Sequence, residues 1–190
     1  MSLENIVKYF NKRDLTGDEI ETLIGKAPIT FSDLAKFKTI EEVLGPEKYC
    51  IILYQTSSKT DGHFVAITQY DDGTISYRES YGYNPLQVKN LCPYDDPLPR
   101  YVVQLLYDHK VEYNRFDFQQ KGKGVSTCGR WSAIFCRMRQ VPLKDLIRLV
   151  ITNKSEFLSD YDNIATVLTL LSLKDITTYE EDVGSIGRRS

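Results

Sequence analysis

Apolar positions recur at helical spacing over the first residues, with Leu3, Ile6, Val7 and Phe10 on one face. Thr16-Gly17-Asp18-Glu19 is a capping-box pattern, and Ile20, Leu23 and Ile24 follow it as the apolar stripe of a second helix that Gly25 ends. Ser32-Asp33-Leu34 and Thr39-Ile40-Glu41-Glu42 read as further short capped turns. At Tyr49 the period changes. Residues 49–54 form a continuous apolar run rich in β-formers, as a buried strand requires. Residues 57–62 are a polar turn cluster, and 63–70 and 74–78 are two strands around Asp71-Asp72-Gly73, a hairpin. Residues 81–99 carry four prolines and a glycine and read as a long surface loop. Residues 101–108 look helical, and 111–118 alternate as a weak strand.

A polar, glycine-bearing stretch over 119–127 then gives way to Trp131, Ile134, Phe135 and Met138, the i, i+3, i+4, i+7 stripe of a buried helix that starts near Cys128. Helices beginning at Pro142 and Ser155 complete the pattern, the last running to about Leu173. Helices, then strands, then helices predict an α+β fold. The expected architecture is a small mixed sheet packed on a central helix carrying Cys128, in one domain over 1–178, with a loose charged tail over 179–190.

Composition narrows the function classes. The chain has 190 residues, enough for a core without disulfides or metal. Its formal net charge of −2 is not that of a nucleic-acid polycation. Its apolar runs are too short for a membrane span, and its first residues lack a signal core. Neither membrane association nor secretion is therefore expected. Cysteines 50, 92, 128 and 136 contain no close pair, and the chain has only two histidines, so neither a zinc site nor any other cofactor is implied. Reduced thiols are the expectation, with one reactive cysteine worth seeking.

Cys128, between a polar loop and a buried helix, is that candidate. The positive end of a helix dipole favours thiolate, the reactive form. Cys50 and Cys136 lie in apolar runs and read as structural. His63 begins a strand beside a turn, where an imidazole can face a cleft; His109 reads as a surface residue. A hairpin turning at 71–73 sets residue 63 across from about residue 81, so Glu79 lies within diagonal reach of His63 and can orient it. Gln119 and Gln120 precede the cysteine loop, and either amide can stabilise an oxyanion. Gln120 is preferred. The order His63, Glu79, Gln120, Cys128 excludes papain-like enzymes, in which the cysteine comes first.

These stretches, Asp61-Gly62-His63-Phe64-Val65-Ala66-Ile67, Tyr77-Arg78-Glu79-Ser80-Tyr81-Gly82-Tyr83-Asn84-Pro85 and Gln120 through Cys128-Gly129 with Ser132 and Phe135, resemble a clan of cysteine proteases. It contains the adenovirus maturation protease and the ubiquitin-like-protein proteases. The start of the chain, Leu15-Thr16-Gly17-Asp18-Glu19-Ile20 and Ser32-Asp33-Leu34, is also similar to maturation proteases of virophages (mavirus-like) and Polinton-type elements. Sumo-type members usually carry Asp in the second motif and the adenovirus enzyme Glu, as here. Phe64 stands where the family often has Trp, and the loop between glutamine and cysteine is slightly long.

The resemblance implies a cysteine endopeptidase cutting viral capsid or core precursor proteins during particle maturation, in the virion and the host-cell viral factory. It implies cleavage after glycine, for which Trp131 and Phe64 are the expected roof of a narrow tunnel. A deubiquitinase or Sumo-type protease has identical chemistry. A chymotrypsin-like viral protease shares the residue order but needs two all-β barrels. A degenerate capsid-binding module has no need of all four residues. An activating peptide or DNA is left open; Arg130, Arg137, Arg139, Lys144 and Arg148 are a candidate basic patch, or simply a solvated helix face.

Overall fold

The computed structural model describes residues 2–56, 62–88, 99–122, 124–152 and 160–173. Of the turn expected over 57–62, residues 57–61 lie outside them, as do Cys92, the helix start at Ser155 and the 179–190 tail; Gly62 already belongs to a strand. Helix α1 spans Leu3–Phe10, α2 Gly17–Ile24, β1 Ile29–Thr30, α3 Ile40–Leu44, β2 Tyr49–Gln55, β3 Gly62–Gln69 and β4 Ile75–Arg78. Then follow α4 Pro85–Val88, α5 Pro99–Leu106, β5 Val111–Tyr113, α6 Cys128–Arg137, α7 Leu143–Thr152 and α8 Tyr161–Leu173. A 3₁₀ turn, Phe31–Lys36, follows β1.

The fold is α+β, with a five-stranded mixed sheet in chain order. The outer pairs β1/β2 and β4/β5 are parallel, and β2/β3 and β3/β4 are antiparallel. Strict side-chain alternation sorts the central strands onto two cores. Ile51, Leu53, Phe64 and Ala66 meet α6 and, beyond it, α2, α7 and α8. Cys50, Ile52, Tyr54, Val65, Ile67, Ile75 and Tyr77 meet the 3₁₀ turn, α3 and α5. The sheet is buried on both sides, which is why 49–54 is a continuous apolar run rather than an alternating one.

The capping signals are realised. Thr16 and Glu19 form a reciprocal capping box, and Gly25 closes α2 at a φ of 78°. Two strands depart from expectation. β1 has only two residues, too few for a period. The ladder expected over 111–118 stops at Tyr113, because Asn114 turns inward: its amide donates to the carbonyl oxygens of Glu79 and Phe116. Trp131 is 0% exposed against Phe118 and Phe135, and Phe64 packs in the same core. Neither roofs a tunnel; the amphipathic stripe that predicted α6 already placed Trp131 on its inner face.

Candidate active site

Helix α6 begins at Cys128 because Gly129 lets it approach the sheet. A Cβ at 129 would lie 3.3 Å from both Ile20 Cδ1 and Phe64 Cδ2. Gly62 does the same for β3, since a Cβ there would fall 2.0 Å from the Tyr54 carbonyl oxygen. The two glycines bring the start of the helix and the start of the strand to one end of the sheet. There His63 and Cys128 border a cavity of about 250 Å³ with Asp14, Thr56, Gly62, Tyr81, Gln119, Val125 and Ser126.

The β3/β4 ladder pairs Ala66 with Arg78, and its register continued places His63 opposite Tyr81. Their rings stack at 5.0 Å, 13° from parallel. Glu79, wholly buried, reaches His63 Nε2 with Oε1 at 2.5 Å. Both Glu79 oxygens accept from the Tyr81 N–H at 3.0 Å, and Oε2 also accepts from the Tyr83 N–H at 2.6 Å. Burial alone works to lower the His63 pKa. Its hydrogen bonds and charge interactions with Cys128 and Glu79 outweigh that and push it up to about 10. The imidazole thus bridges the thiol and a fixed carboxylate.

Gln119, not Gln120, joins this group. Gln119 is buried beside Cys128, with its Oε1 accepting from the Ser80 hydroxyl at 2.8 Å and its Nε2 donating to the Val125 carbonyl at 3.3 Å. The Phe118 and Gln119 N–H groups both donate to the Ser80 carbonyl oxygen, so the backbone there is pinned as well. Gln120 is exposed and does not line the His63–Cys128 cavity; it lines a neighbouring one of about 520 Å³ with Asp117, Phe118, Gln119, Lys121, Asp160 and Tyr161. The two glutamines are equivalent in composition; only tertiary contacts with Ser80 separate them.

Sequence reasoning also passed over Ser80, Tyr81 and Asp162. The first two lie inside the quoted Glu79 motif. In it Glu79 holds the imidazole, Ser80 holds Gln119 and Tyr81 covers the His63 ring. Asp162 accepts from the Thr127 hydroxyl and, at 2.9 Å, from the Gln120 N–H.

The remaining candidates sit elsewhere. Cys50 and Cys136 are buried, and burial pushes Cys50 up to about 12 and Cys136 well above an ordinary thiol. His109 faces Glu41 at 3.7 Å on the surface. The basic residues do not make one exposed patch, because Arg130 is buried. Arg130 is 0% exposed, donates to Thr169 and lies over the Phe10 ring, while Arg137 donates to the Leu23 carbonyl and Ser172. Among the described residues no helix is long and apolar enough to cross a membrane, and no cluster of His, Cys, Asp and Glu could hold a metal ion.

No protein-family model matches the chain. It is similar to a viral protein, the uncharacterized protein V9 of Sputnik virophage. The two are 29% identical over 174 residues, covering 86% of this chain and 98% of the relative.

Proposed function

We propose that the protein is a cysteine endopeptidase of the adenovirus-type clan, acting on capsid or core precursor proteins during virion maturation. The observation that carries the reading is the buried line from Glu79 through His63 to Cys128, with the Gln119 amide on the same cleft. A chain with no use for a thiol nucleophile has little reason to bury an imidazole between a thiol and a carboxylate that must be held by two backbone N–H groups. Similarity to a virophage protein over most of the chain supports the viral setting; the virion and the viral factory are what the clan resemblance implies.

His63 takes the Cys128 proton, and the sulfur attacks the scissile carbonyl carbon. The negative oxygen is met by the Cys128 backbone N–H and the Gln119 amide. As the C–N bond breaks, the imidazolium gives its proton to the leaving amine, leaving a thioester. His63 then takes a proton from water, hydroxide adds to the thioester carbonyl, and the thiolate leaves and recovers its proton from His63. Glu79 stays ionised throughout and fixes the ring. No cofactor enters any step.

Glycine before the cut rests on the clan resemblance, since Trp131 and Phe64 belong to the core. Purified protein offered matched capsid-precursor peptides with Gly or Ala at that position is the test. Cleavage of the Gly peptide, absent in Cys128→Ala, is expected. Reaction with a ubiquitin vinyl sulfone but with no precursor peptide would move the assignment to a deubiquitinase. No cleavage and no preferential alkylation of Cys128 would remove it.

A further inference from the structure

The segment between the oxyanion glutamine and the nucleophile is anchored from behind by α8. Asp162, in the first turn of that helix and 0% exposed, accepts from the Gln120 N–H with Oδ2 and from the Thr127 hydroxyl with Oδ1. Gln120 directly follows Gln119, and Thr127 directly precedes Cys128. One carboxylate therefore holds both ends of the segment. A second strut runs in parallel. The Ser126 N–H donates to the Asn11 carbonyl at 2.7 Å, and the Asn11 side chain is gripped by Asn163 and Thr166 of α8.

A purely structural account leaves two features unexplained. Thr127 is the N-cap residue of α6, where a threonine hydroxyl ordinarily accepts from the helix's first N–H groups. Here it makes no such bond and donates to Asp162 instead. Burial also raises the Asp162 pKa to about 6, more than the bonds from Thr127 and Gln120 lower it, so the ion is kept at a cost to stability. Groups retained against stability are expected where geometry matters to function.

We infer that Asp162 is a positioning residue of the proposed protease, setting the distance between the Gln119 amide and the Cys128 sulfur by tying Gln120 to Thr127. This rests on the protease reading, and its effect is specific. The oxyanion donor is useful only where the transition-state oxygen develops, so loosening the tie lowers kcat and spares ground-state binding.

The test is a double-mutant cycle of Asp162→Ala and Gln119→Ala on a peptide the wild-type chain cleaves, with hydrogen exchange read at the Gln120 amide. Each single variant is expected to lower kcat about 10²-fold with KM within about twofold. The double variant is expected to be no worse than the worse single, because both remove the same interaction. Asp162→Asn keeps an acceptor for the Gln120 N–H and can donate to the Thr127 oxygen, so it should retain activity within about tenfold. If Asp162→Ala does not fold, Thr127→Val takes its place in the cycle. Additive losses, a loss confined to KM, or an unchanged Gln120 exchange rate overturns the inference and leaves the protease reading standing. Failure of the protease reading looks different: the wild-type chain itself neither cleaves peptides nor alkylates first at Cys128.

Discussion

The Ser80 hydroxyl donates to Gln119 Oε1 at 2.8 Å, which decides the orientation of the amide beside Cys128. With the oxygen occupied by Ser80, the NH₂ end carries the donors, one directed to the Val125 carbonyl and the second available to a developing oxyanion. Ser80→Ala removes that choice without touching His63 or Cys128. It should lower kcat about tenfold with KM nearly unchanged, in steady-state kinetics on a cleavable peptide. An unaltered kcat would mean that the backbone bonds from Phe118 and Gln119 to the Ser80 carbonyl suffice.

The adjacent glutamines give a sharper contrast. Gln119→Ala should reduce kcat about 10²–10³-fold, while Gln120→Ala, which keeps the backbone N–H to Asp162, should stay within about twofold. The reverse result would return the oxyanion role to the exposed residue.

The pH dependence follows from His63. Its folded pKa, about 10, is raised above the ordinary 6.5. The imidazolium's contribution to stability is therefore complete below about 6.5 and is lost as pH rises towards 10. Departure of the leaving amine needs that proton, so kcat/KM on a cleavable peptide should hold level from about pH 7 to 9 and fall near pH 10. A fall centred near 6.5 would show that Glu79 and Cys128 do not hold the imidazolium.

Asp162 has the opposite kind of linkage. Its pKa is raised from 3.8 to about 6, so the folded state binds the extra proton over that interval. Its favourable contribution is present below about pH 4 and is lost as pH rises through 6. Relative to Asp162→Asn, the wild-type protein should lose stability between pH 4 and 7, by on the order of 3 kcal/mol at most. Urea midpoints of the two proteins across that range measure it, and parallel curves would refute it.

Glu79→Gln is less conservative than it looks. Oε1 meets His63 and the Tyr81 N–H, and Oε2 meets the N–H groups of Tyr81 and Tyr83. Either orientation of an amide sets its NH₂ against a donor. The variant should lose about 1–3 kcal/mol of stability together with activity. Thermal unfolding against wild type and Glu79→Asp separates that loss from the catalytic one.

The grouping of Cys128, His63 and Glu79 was legible from sequence because each sits where an element begins or ends: Cys128 at a helix start, His63 at a strand start, Glu79 just past β4. The hairpin arithmetic that set His63 opposite residue 81 agrees with the stacked rings. What was not legible depends on contacts distant in sequence. Asp162 resembles any acidic first-turn residue until Thr127 and Gln120 are seen against it. Arg130 resembles a surface cation until its burial behind α8 is known. β1 is too short to carry a period at all.

Arg78 gives the candidate site a timetable. Its buried guanidinium donates to the carbonyl oxygens of Phe135, Met138, Arg139 and Val141, to the Tyr70 hydroxyl and to Ser76. Stripped of water without those acceptors, an arginine there would be prohibitively costly. The strand that leads into Glu79 therefore closes only when the far end of α6 arrives with its carbonyls. The proposed chemistry therefore depends on residues 135–141, and a chain that ends before them lacks the acceptors Arg78 needs.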